Sequence, residues 1–135
     1  EERRAGGAQV PAGGEGDGLI KPPVIAAVAA NAKVSCEEVV GPVVIVNPVD
    51  SIGEAIERAN GTRFGLQAGI FTASLDTALD VAERLEFGGV IVNEAPTFRS
   101  DQMPYGGIKA SGNTKEGPAW AVREMTEERL VVIQR

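Results

Sequence analysis

Histidine is absent from the 135-residue sequence, and cysteine occurs once, as Cys36. Without histidine, general-base mechanisms that depend on imidazole and most zinc sites are excluded. One cysteine cannot form a disulfide within the chain, which favours an intracellular, cytoplasmic protein. The candidate chemical groups are therefore carboxylates, lysines, a single tyrosine and a single thiol.

Long apolar runs and dense positive charge are also scarce. The longest apolar stretches, around 24–30 and 43–46, are much shorter than the roughly 20 residues that a membrane-spanning helix needs. The net charge is −6, and no cluster of lysine and arginine could attract nucleic acid or anionic lipid. The sequence thus predicts a protein that binds neither nucleic acid nor a membrane.

Alternating strand and helix patterns predict an α/β domain. Residues 43–46 form a continuous β-branched run typical of a central strand, and 66–72 and 89–92 predict two further strands. A β-α-β-α-β order favours parallel strands with helices on both faces. We therefore expect a three-layer α/β/α arrangement with a mostly parallel sheet. The first 18 residues are rich in glycine and predict loop or edge structure.

Both predicted helices begin at residues that can cap them. Ser51 and Glu54 have the spacing of a capping box, and Ser74 can accept a hydrogen bond from the first turn of the second helix. The expected apolar faces consist of Ile52, Ala55, Ile56 and Ala59 in the first helix, and of Leu75, Ala78, Leu79, Ala82 and Leu85 in the second.

The segment after Asn93 is interrupted by prolines and glycines, as is common in loops that carry sites. A helix is predicted from about Pro118 to Glu127, because proline suits the first turn of a helix. Residues 130–133 are Leu-Val-Val-Ile and predict a terminal strand. Because this strand has no local partner, we expect it to pair with a distant segment or with another subunit.

Four motifs in order carry a family resemblance. Residues 37–43 read Glu-Glu-Val-Val-Gly-Pro-Val, residues 60–72 contain Asn-Gly-Thr-Arg-Phe-Gly-Leu and Ala-Gly-Ile-Phe-Thr, residues 89–93 read Gly-Val-Ile-Val-Asn, and residues 104–112 read Pro-Tyr-Gly-Gly-Ile-Lys-Ala-Ser-Gly. Together they resemble the C-terminal part of the catalytic domain of NAD(P)-dependent aldehyde dehydrogenases. The resemblance implies that 1–128 belong to that domain and that 129–135 form a strand for homo-oligomer association.

This family resemblance implies an oxidoreductase that converts an aldehyde to a carboxylic acid through a cysteine adduct, with NAD or NADP as hydride acceptor. In the family, the nucleophilic cysteine, the glutamate base and the glycine-rich dinucleotide-binding region precede the matched part. We therefore expect the 135-residue chain to be an enzyme fragment that is inactive alone. Two alternatives stay open: an inert structural or dimerisation module derived from the fold, and a weak nucleotide-binding module.

On the cofactor side, Glu38 matches the family glutamate that accepts hydrogen bonds from the ribose hydroxyls beside the nicotinamide. Val40 stands where the family usually has a phenylalanine near the nicotinamide ring, so an aromatic contact is reduced to an aliphatic one. The alternative for Glu38 is a solvated acidic pair with Glu37. Cys36 does not match the catalytic cysteine and is interpreted as an incidental or packed thiol.

On the substrate side, the resemblance places the pocket in the loop that follows the third strand. The candidate pocket residues are Phe98, Arg99, Gln102 and Tyr105. A guanidinium at position 99 favours a small polar aldehyde that carries hydroxyl, carboxylate or phosphate groups. The loop is similar to that of the lactaldehyde and glycolaldehyde branch, which often has histidine at position 102. The alternative for Arg99 is a surface ion pair with Asp101 or Glu94.

Two features of the predicted loop concern backbone geometry. We expect Asn93 and Lys109 to fix the loop through hydrogen bonds to the backbone. The family often reads Gly-Arg-Glu where this chain has Thr-Lys-Glu at 114–116. Replacement of that glycine by Thr114 is predicted to strain or reroute the turn.

Overall fold

The computed structural model describes residues 7–16 and 18–135, which form two compact units that meet in sequence between Ala55 and Ile56. The first unit holds strands β1 (Gln9–Gly16) and β2 (Leu19–Ala26), helix α1 (Lys33–Cys36), strand β3 (Val44–Val46) and the start of helix α2 (Ile52–Asn60). The second holds the rest of α2, strands β4 (Phe64–Gly65) and β5 (Gln67–Ile70), helix α3 (Leu75–Arg84), strands β6 (Gly89–Val92) and β7 (Ile108–Lys109), and helix α4 (Pro118–Glu124). Within the described residues, no helix has both the length and the apolar character that a membrane span requires.

The first unit is built on a three-stranded sheet in the order β1-β2-β3. β1 runs antiparallel to β2 with an irregular register, and β2 runs parallel to β3, with Val24 opposite Val44. β1 is therefore an edge strand, which agrees with the prediction of edge structure for those of the first 18 residues that are described; residues 1–6 and 17 lie outside them. Ile25 of β2 is fully buried and anchors the core of this unit.

The second unit contains two separate strand pairs. β5 and β6 pair in parallel, with Gln67 opposite Gly89 and Ile70 opposite Val92, and α3 connects them. This pair confirms the predicted parallel crossover. β4 and β7 pair antiparallel, with Phe64 opposite Lys109. The β4–β7 pair joins the residues just after α2 to the end of the long loop that follows β6.

The mostly parallel three-layer sheet that the sequence predicted is not what the described residues form. The strands group into three small sheets: one mixed, one antiparallel and one parallel. The pattern along the chain located β3, β5 and β6 correctly, but it could not identify their neighbours. Strand pairing is decided by non-local backbone hydrogen bonds, and β2 took β3 as its partner.

The helix caps are close to those predicted. The Ser51 hydroxyl accepts from the Glu54 N–H at 3.1 Å, while the Glu54 carboxylate accepts from the Asp50 N–H at 2.9 Å, one residue beyond the usual position of a capping box. Ser74 caps α3 by accepting from the Thr77 N–H at 3.2 Å. Both helices are therefore started by side chains that satisfy otherwise unpaired backbone donors.

The apolar face of α3 differs from the predicted one. Ala78 is buried as expected, but the second buried residue is Val81, whereas Leu75 and Leu79 are exposed. Ala78 and Val81 are three residues apart and lie on one side of α3. This buried side is rotated around the helix axis, by about the angle between consecutive residues, from the predicted apolar face. Two large leucine side chains consequently remain on the surface of this helix.

The C-terminal segment forms no strand within the chain. α4 ends at Glu124, three residues before the predicted end, and residues 126–135 carry no regular secondary structure. The side chains of 130–133 are exposed by 68% to 87%. Pairing of this segment with another subunit stays a prediction.

A close backbone contact in the second unit generates a stability prediction. A Cβ at Gly88 would overlap the carbonyl oxygen of Gly106, so Gly88→Ala must push the two chain segments apart. We expect the substitution to lower the free energy of unfolding by about 2–3 kcal/mol, measured by urea denaturation. Gly41→Ala is the control, because a Cβ there meets nothing within 4 Å. Equal stability of the two variants would contradict the contact.

Candidate functional site

The loop between β6 and β7 begins at a residue with unusual backbone geometry. Asn93 has φ of 60°, in the left-handed region where asparagine is tolerated better than most residues. Its N–H donates to the Ile70 carbonyl at 2.7 Å, and its side-chain oxygen accepts from the Thr72 N–H at 2.8 Å. The predicted structural role of Asn93 is thereby confirmed, since it turns the chain at the carboxyl end of β6 and fixes it to the end of β5.

Two of the predicted pocket residues lie on the first part of this loop. The Gln67 side chain on β5 donates to the Phe98 carbonyl at 2.8 Å, which holds the loop against the parallel strand pair. Phe98 is 49% exposed, and Gln102 is exposed. Phe98 and Gln102 therefore lie on the surface of one loop that the framework of the unit fixes in place.

Three residues around Arg99 form the best-defined polar group of the loop, here called the Arg99 cluster: Arg99, Tyr105 and Glu116. The Arg99 guanidinium carbon lies 4.4 Å from the centroid of the Tyr105 ring, and Nη2 lies 2.6 Å from Oε2 of Glu116. The guanidinium thus has an aromatic ring on one face and a charge-assisted hydrogen bond on one edge. Arg99 forms an ion pair, as the alternative interpretation required, but the partner is Glu116 instead of Asp101 or Glu94.

The backbone fixes the other two members of the Arg99 cluster relative to each other. The Tyr105 N–H donates to the Glu116 carbonyl at 3.1 Å, and the Glu116 N–H donates to the Tyr105 carbonyl at 2.6 Å. This reciprocal antiparallel bridge sets the two residues directly opposite each other. Both contacts of Arg99 therefore depend on a single pair of backbone hydrogen bonds.

Lys115 supports the turn beside the cluster. Its half-buried ammonium donates to the Gly106 carbonyl at 2.7 Å and to the Gly88 carbonyl at 3.4 Å. The neighbouring Thr114 is not among the non-glycine residues with positive φ in the described part of the chain. Strain at Thr114 is therefore not found, because the backbone there adopts a conformation that any residue can take. Rerouting of the turn, the other predicted outcome, stays a prediction.

Lys109 ties the end of the loop to the C-terminal end of α2 and to the segment that follows α3. Its ammonium donates to the Asn60 carbonyl at 3.0 Å and the Thr62 carbonyl at 3.4 Å, and it lies 2.8 Å from the Glu86 carboxylate. Asn60 in turn donates to the Arg84 carbonyl at 2.9 Å at the end of α3. The predicted backbone hydrogen bonds of Lys109 are confirmed, and they place a cation at the C-terminal end of α2, where the helix dipole favours positive charge.

The cofactor candidates belong to the first unit. Glu38 and Val40 follow α1 in a stretch without regular structure, and Val40 is 95% exposed. Within the described part of the chain, the Glu38 carboxylate forms no hydrogen bond or ion pair, so it can accept hydrogen bonds from a ligand. Cys36 is exposed, and its thiol donates to the Ala32 carbonyl with a separation of 3.2 Å. The thiol is therefore not packed, and its interpretation as incidental stays a prediction.

Sequence reasoning found two of the three members of the Arg99 cluster. Arg99 and Tyr105 were both predicted, whereas Glu116 entered only as part of a turn. Its available signal was that position 116 keeps the glutamate of the family's Gly-Arg-Glu while 114 and 115 differ. Gln67 carried no comparable signal. The described residues, 7–16 and 18–135, contain no group of three or more carboxylate or thiol side chains that could hold a metal ion.

The sequence pattern of the aldehyde dehydrogenase family matches residues 1–131. The chain belongs to this family. It is 47% identical over 128 residues to a 3-sulfolactaldehyde dehydrogenase of Priestia aryabhattai. The aligned residues make up 94% of this chain and 27% of that protein. It is 44% identical over 128 residues to a lactaldehyde dehydrogenase of Methanococcus vannielii, covering 95% of this chain and 27% of that protein. The chain therefore spans about a quarter of the length of these relatives.

Solved structures of the family share the fold. Aldehyde dehydrogenase 21 of Physcomitrella patens, in complex with the reaction product succinate, gives a TM-score of 0.88 at 42% identity over 93% of this chain and 26% of that one. An NAD⁺ complex of the aldehyde dehydrogenase of Bacillus cereus gives a TM-score of 0.85 at 36% identity. This match covers 93% of this chain and 26% of that one. A glyceraldehyde-3-phosphate dehydrogenase of Methanocaldococcus jannaschii in complex with NADP gives a TM-score of 0.84 at 36% identity. This match covers 92% of this chain and 27% of that one.

The contact between Arg99 and Tyr105 generates a spectroscopic prediction. Tyr105 is the single tyrosine of the chain, so fluorotyrosine labelling gives one ¹⁹F resonance that reports on its ring. We expect Arg99→Met to move this resonance and to lower the free energy of unfolding by about 0.5–1 kcal/mol, because the cation–π contact and an exposed ion pair are lost. Exposed Arg129 supplies the control, and Arg129→Met should leave the resonance in place. An unchanged signal in Arg99→Met would show that the stacked contact is not populated.

Proposed function

We propose that this chain contributes substrate-binding and cofactor-binding residues to an enzyme that oxidises a small polar aldehyde to a carboxylic acid with NAD or NADP. The observation that carries the proposal is the Arg99 cluster, which presents a guanidinium on a loop fixed at the carboxyl end of a parallel strand pair. Open α/β folds commonly bind ligands at that end of their strands. Membership in the aldehyde dehydrogenase family supplies the reaction.

The Arg99 cluster supports a polar substrate. A guanidinium has five N–H donors in a planar fork, and the ion pair with Glu116 engages one nitrogen. The remaining donors can bind a hydroxyl or anionic group of an aldehyde, while the Phe98 and Tyr105 rings give apolar surface to its carbon skeleton. The similarity to proteins named for 3-sulfolactaldehyde and lactaldehyde supports this substrate class. Gln102 adds an amide on the same loop.

Glu38 and Val40 support the cofactor assignment. NAD and NADP both present two vicinal hydroxyls on the ribose beside the nicotinamide, and an unpaired carboxylate can accept a hydrogen bond from each. The exposed Glu38 side chain has this chemistry. Val40 would pack against the ring system with a smaller apolar surface than the family's phenylalanine. When bound, the cofactor supplies the hydride acceptor, and the chain's own residues hold and orient it.

The chemical steps need groups that the cluster does not supply. In this proposal the nucleophilic cysteine and the general base lie in the part of the enzyme that corresponds to the other three quarters of the relatives. The 135 residues contribute binding and orientation, which raise the rate by holding the reacting groups close together. The three small sheets would then belong to a larger three-layer α/β domain made of residues 1–128 and the rest of the enzyme, and 129–135 would join the sheet of a second subunit.

An inert dimerisation module is the second candidate, and the four exposed apolar side chains at 130–133 favour it. The mass of the natural gene product separates the two, because a dehydrogenase needs the remaining family segments. A product of the size of the relatives supports the enzyme, whereas one near the 14.1 kDa of this chain supports the module.

The substrate assignment predicts a selective loss on removing the guanidinium. In the complete enzyme, we expect Arg99→Leu to lower kcat/KM for lactaldehyde by about 10- to 100-fold, which corresponds to losing one hydrogen bond from a charged donor. Turnover of propanal, which lacks the hydroxyl, should change little. Arg84→Leu removes a cation of similar exposure from α3 and serves as the control. Equal losses for lactaldehyde and propanal would argue against substrate recognition by Arg99.

The cofactor assignment predicts a separate effect on NAD or NADP. Glu38→Gln should raise the KM for the preferred cofactor by about 10-fold while the aldehyde KM stays constant, because a neutral amide oxygen accepts the ribose hydrogen bonds more weakly. The adjacent exposed Glu37 provides a matched control through Glu37→Gln. If both substitutions have the same effect, the acidic pair acts only through its overall charge.

A further inference from the structure

We propose that Gln67 is a positioning residue for substrate recognition, because its side-chain amide sets the peptide from which Arg99 projects. The inference rests on the proposed function, in which Arg99 binds the polar group of the aldehyde. It deepens that function by naming the residue that places Arg99. Position 67 lies between the two segments, 60–66 and 68–72, that carry the family resemblance, so this role does not come from those motifs.

The Gln67 amide connects β5 to a loop residue 31 positions further along the chain. Nε2 of this half-buried residue donates to the Phe98 carbonyl at 2.8 Å. That carbonyl belongs to the peptide bond between Phe98 and Arg99, and the atoms of a peptide bond from one Cα to the next lie in one plane. A hydrogen bond to the Phe98 oxygen therefore restricts the direction in which Arg99 leaves the main chain.

The N–H of Phe98 is bonded on the other side of the residue. It donates to the Ala95 carbonyl at 2.9 Å, which closes a turn over 95–98. This bond is local to the loop and orders the turn without relating it to the strands. The bond from Gln67 supplies that relation, because it connects the same residue to β5.

A glycine on the neighbouring strand makes room for the Gln67 side chain. Gly89 of β6 is in register with Gln67, so both residues present their side-chain positions to the same face of the pair. A Cβ at Gly89 would lie 3.3 Å from Cγ of Gln67 and 3.6 Å from Cδ. The glutamine thus passes over Gly89 on its way to the loop, in space that a larger residue would need.

Gln67 acts on the main-chain end of Arg99, and Tyr105 acts on the other end. The Tyr105 ring centroid lies 4.4 Å from the guanidinium carbon. Hydrogen bonds weaken steeply when their distance or angle departs from the optimum, so a shift of the Arg99 main chain weakens whatever its guanidinium binds. The contribution of Gln67 to substrate binding therefore passes through Arg99.

The first test removes the amide donor in the complete enzyme. Gln67→Glu keeps the shape of the side chain, but an ionised carboxylate cannot donate to the Phe98 carbonyl. We expect kcat/KM for lactaldehyde to fall about 2- to 10-fold, the range for one hydrogen bond, mainly through a higher KM. Turnover of propanal, which lacks the hydroxyl, should change little. Gln9→Glu is the matched control, because Gln9 is exposed on β1 of the other unit.

A double substitution separates positioning from a general loss of loop stability. Because a positioning residue acts through Arg99, Gln67→Glu combined with Arg99→Leu should lower kcat/KM for lactaldehyde no further than Arg99→Leu alone. Fully additive losses would overturn the inference, and so would equal losses for lactaldehyde and propanal. Either result would mean that the effect of Gln67 bypasses the guanidinium.

Gln67→Met gives an independent result if Gln67→Glu does not fold. Methionine has a similar length but carries neither a donor nor a charge, so it should reproduce the selective loss for lactaldehyde. Unaltered kcat/KM for lactaldehyde in a folded variant of either kind would overturn the inference. Failure of both variants to fold would also overturn it, because Gln67 would then determine folding instead of substrate recognition.

Failure of the proposed function has a different signature. Wild-type enzyme that does not turn over lactaldehyde, or an Arg99→Leu variant with unaltered kcat/KM, would remove the substrate assignment itself. If Arg99→Leu impairs turnover while both Gln67 variants leave it constant, the substrate assignment stands and only the role of Gln67 is rejected.

Discussion

The close approach of Gly88 and Gly106 is the constraint on which the loop geometry of the second unit depends. A side chain at Gly88 would overlap the Gly106 carbonyl, and the ammonium of Lys115 donates to the carbonyls of both glycines. This contact fastens the chain just before β6 to the residue that follows Tyr105. The position of the Tyr105 ring, and with it that of the guanidinium stacked on the ring, follows from how tightly these backbones pack.

Local features of the fold could be read from the sequence because their causes are local. Ser74 caps α3 through a donor three residues away, and β5 and β6 were located from short β-branched or apolar runs. The grouping into three sheets could not be read, because a strand pattern does not specify its neighbours. The exposed Leu75 and Leu79 show the same limit, since helical periodicity defines an apolar side but not which part of it becomes buried.

In the candidate site, too, the identity of single residues could be predicted, whereas their contacts could not. Arg99 and Tyr105 were predicted individually from their motif positions, yet their contact with Glu116 depends on a backbone bridge between Tyr105 and Glu116 that no spacing rule encodes. Lys109 was expected to bond to the backbone, but its partners at the end of α2 and in the segment after α3 were not predictable. Residue type and motif thus indicated the chemistry, while the non-local hydrogen bonds determined which groups meet.

Lys109 carries two demands that conflict. Its φ of 53° lies in the left-handed region, where glycine and asparagine are accommodated more easily than lysine. Its ammonium, however, reaches the Asn60 and Thr62 carbonyls and the Glu86 carboxylate, which glycine or asparagine could not do. Any single replacement that relaxes the backbone would therefore cut the links among three elements. At position 109 the main chain therefore cannot be relaxed by glycine or asparagine without losing the side-chain contacts.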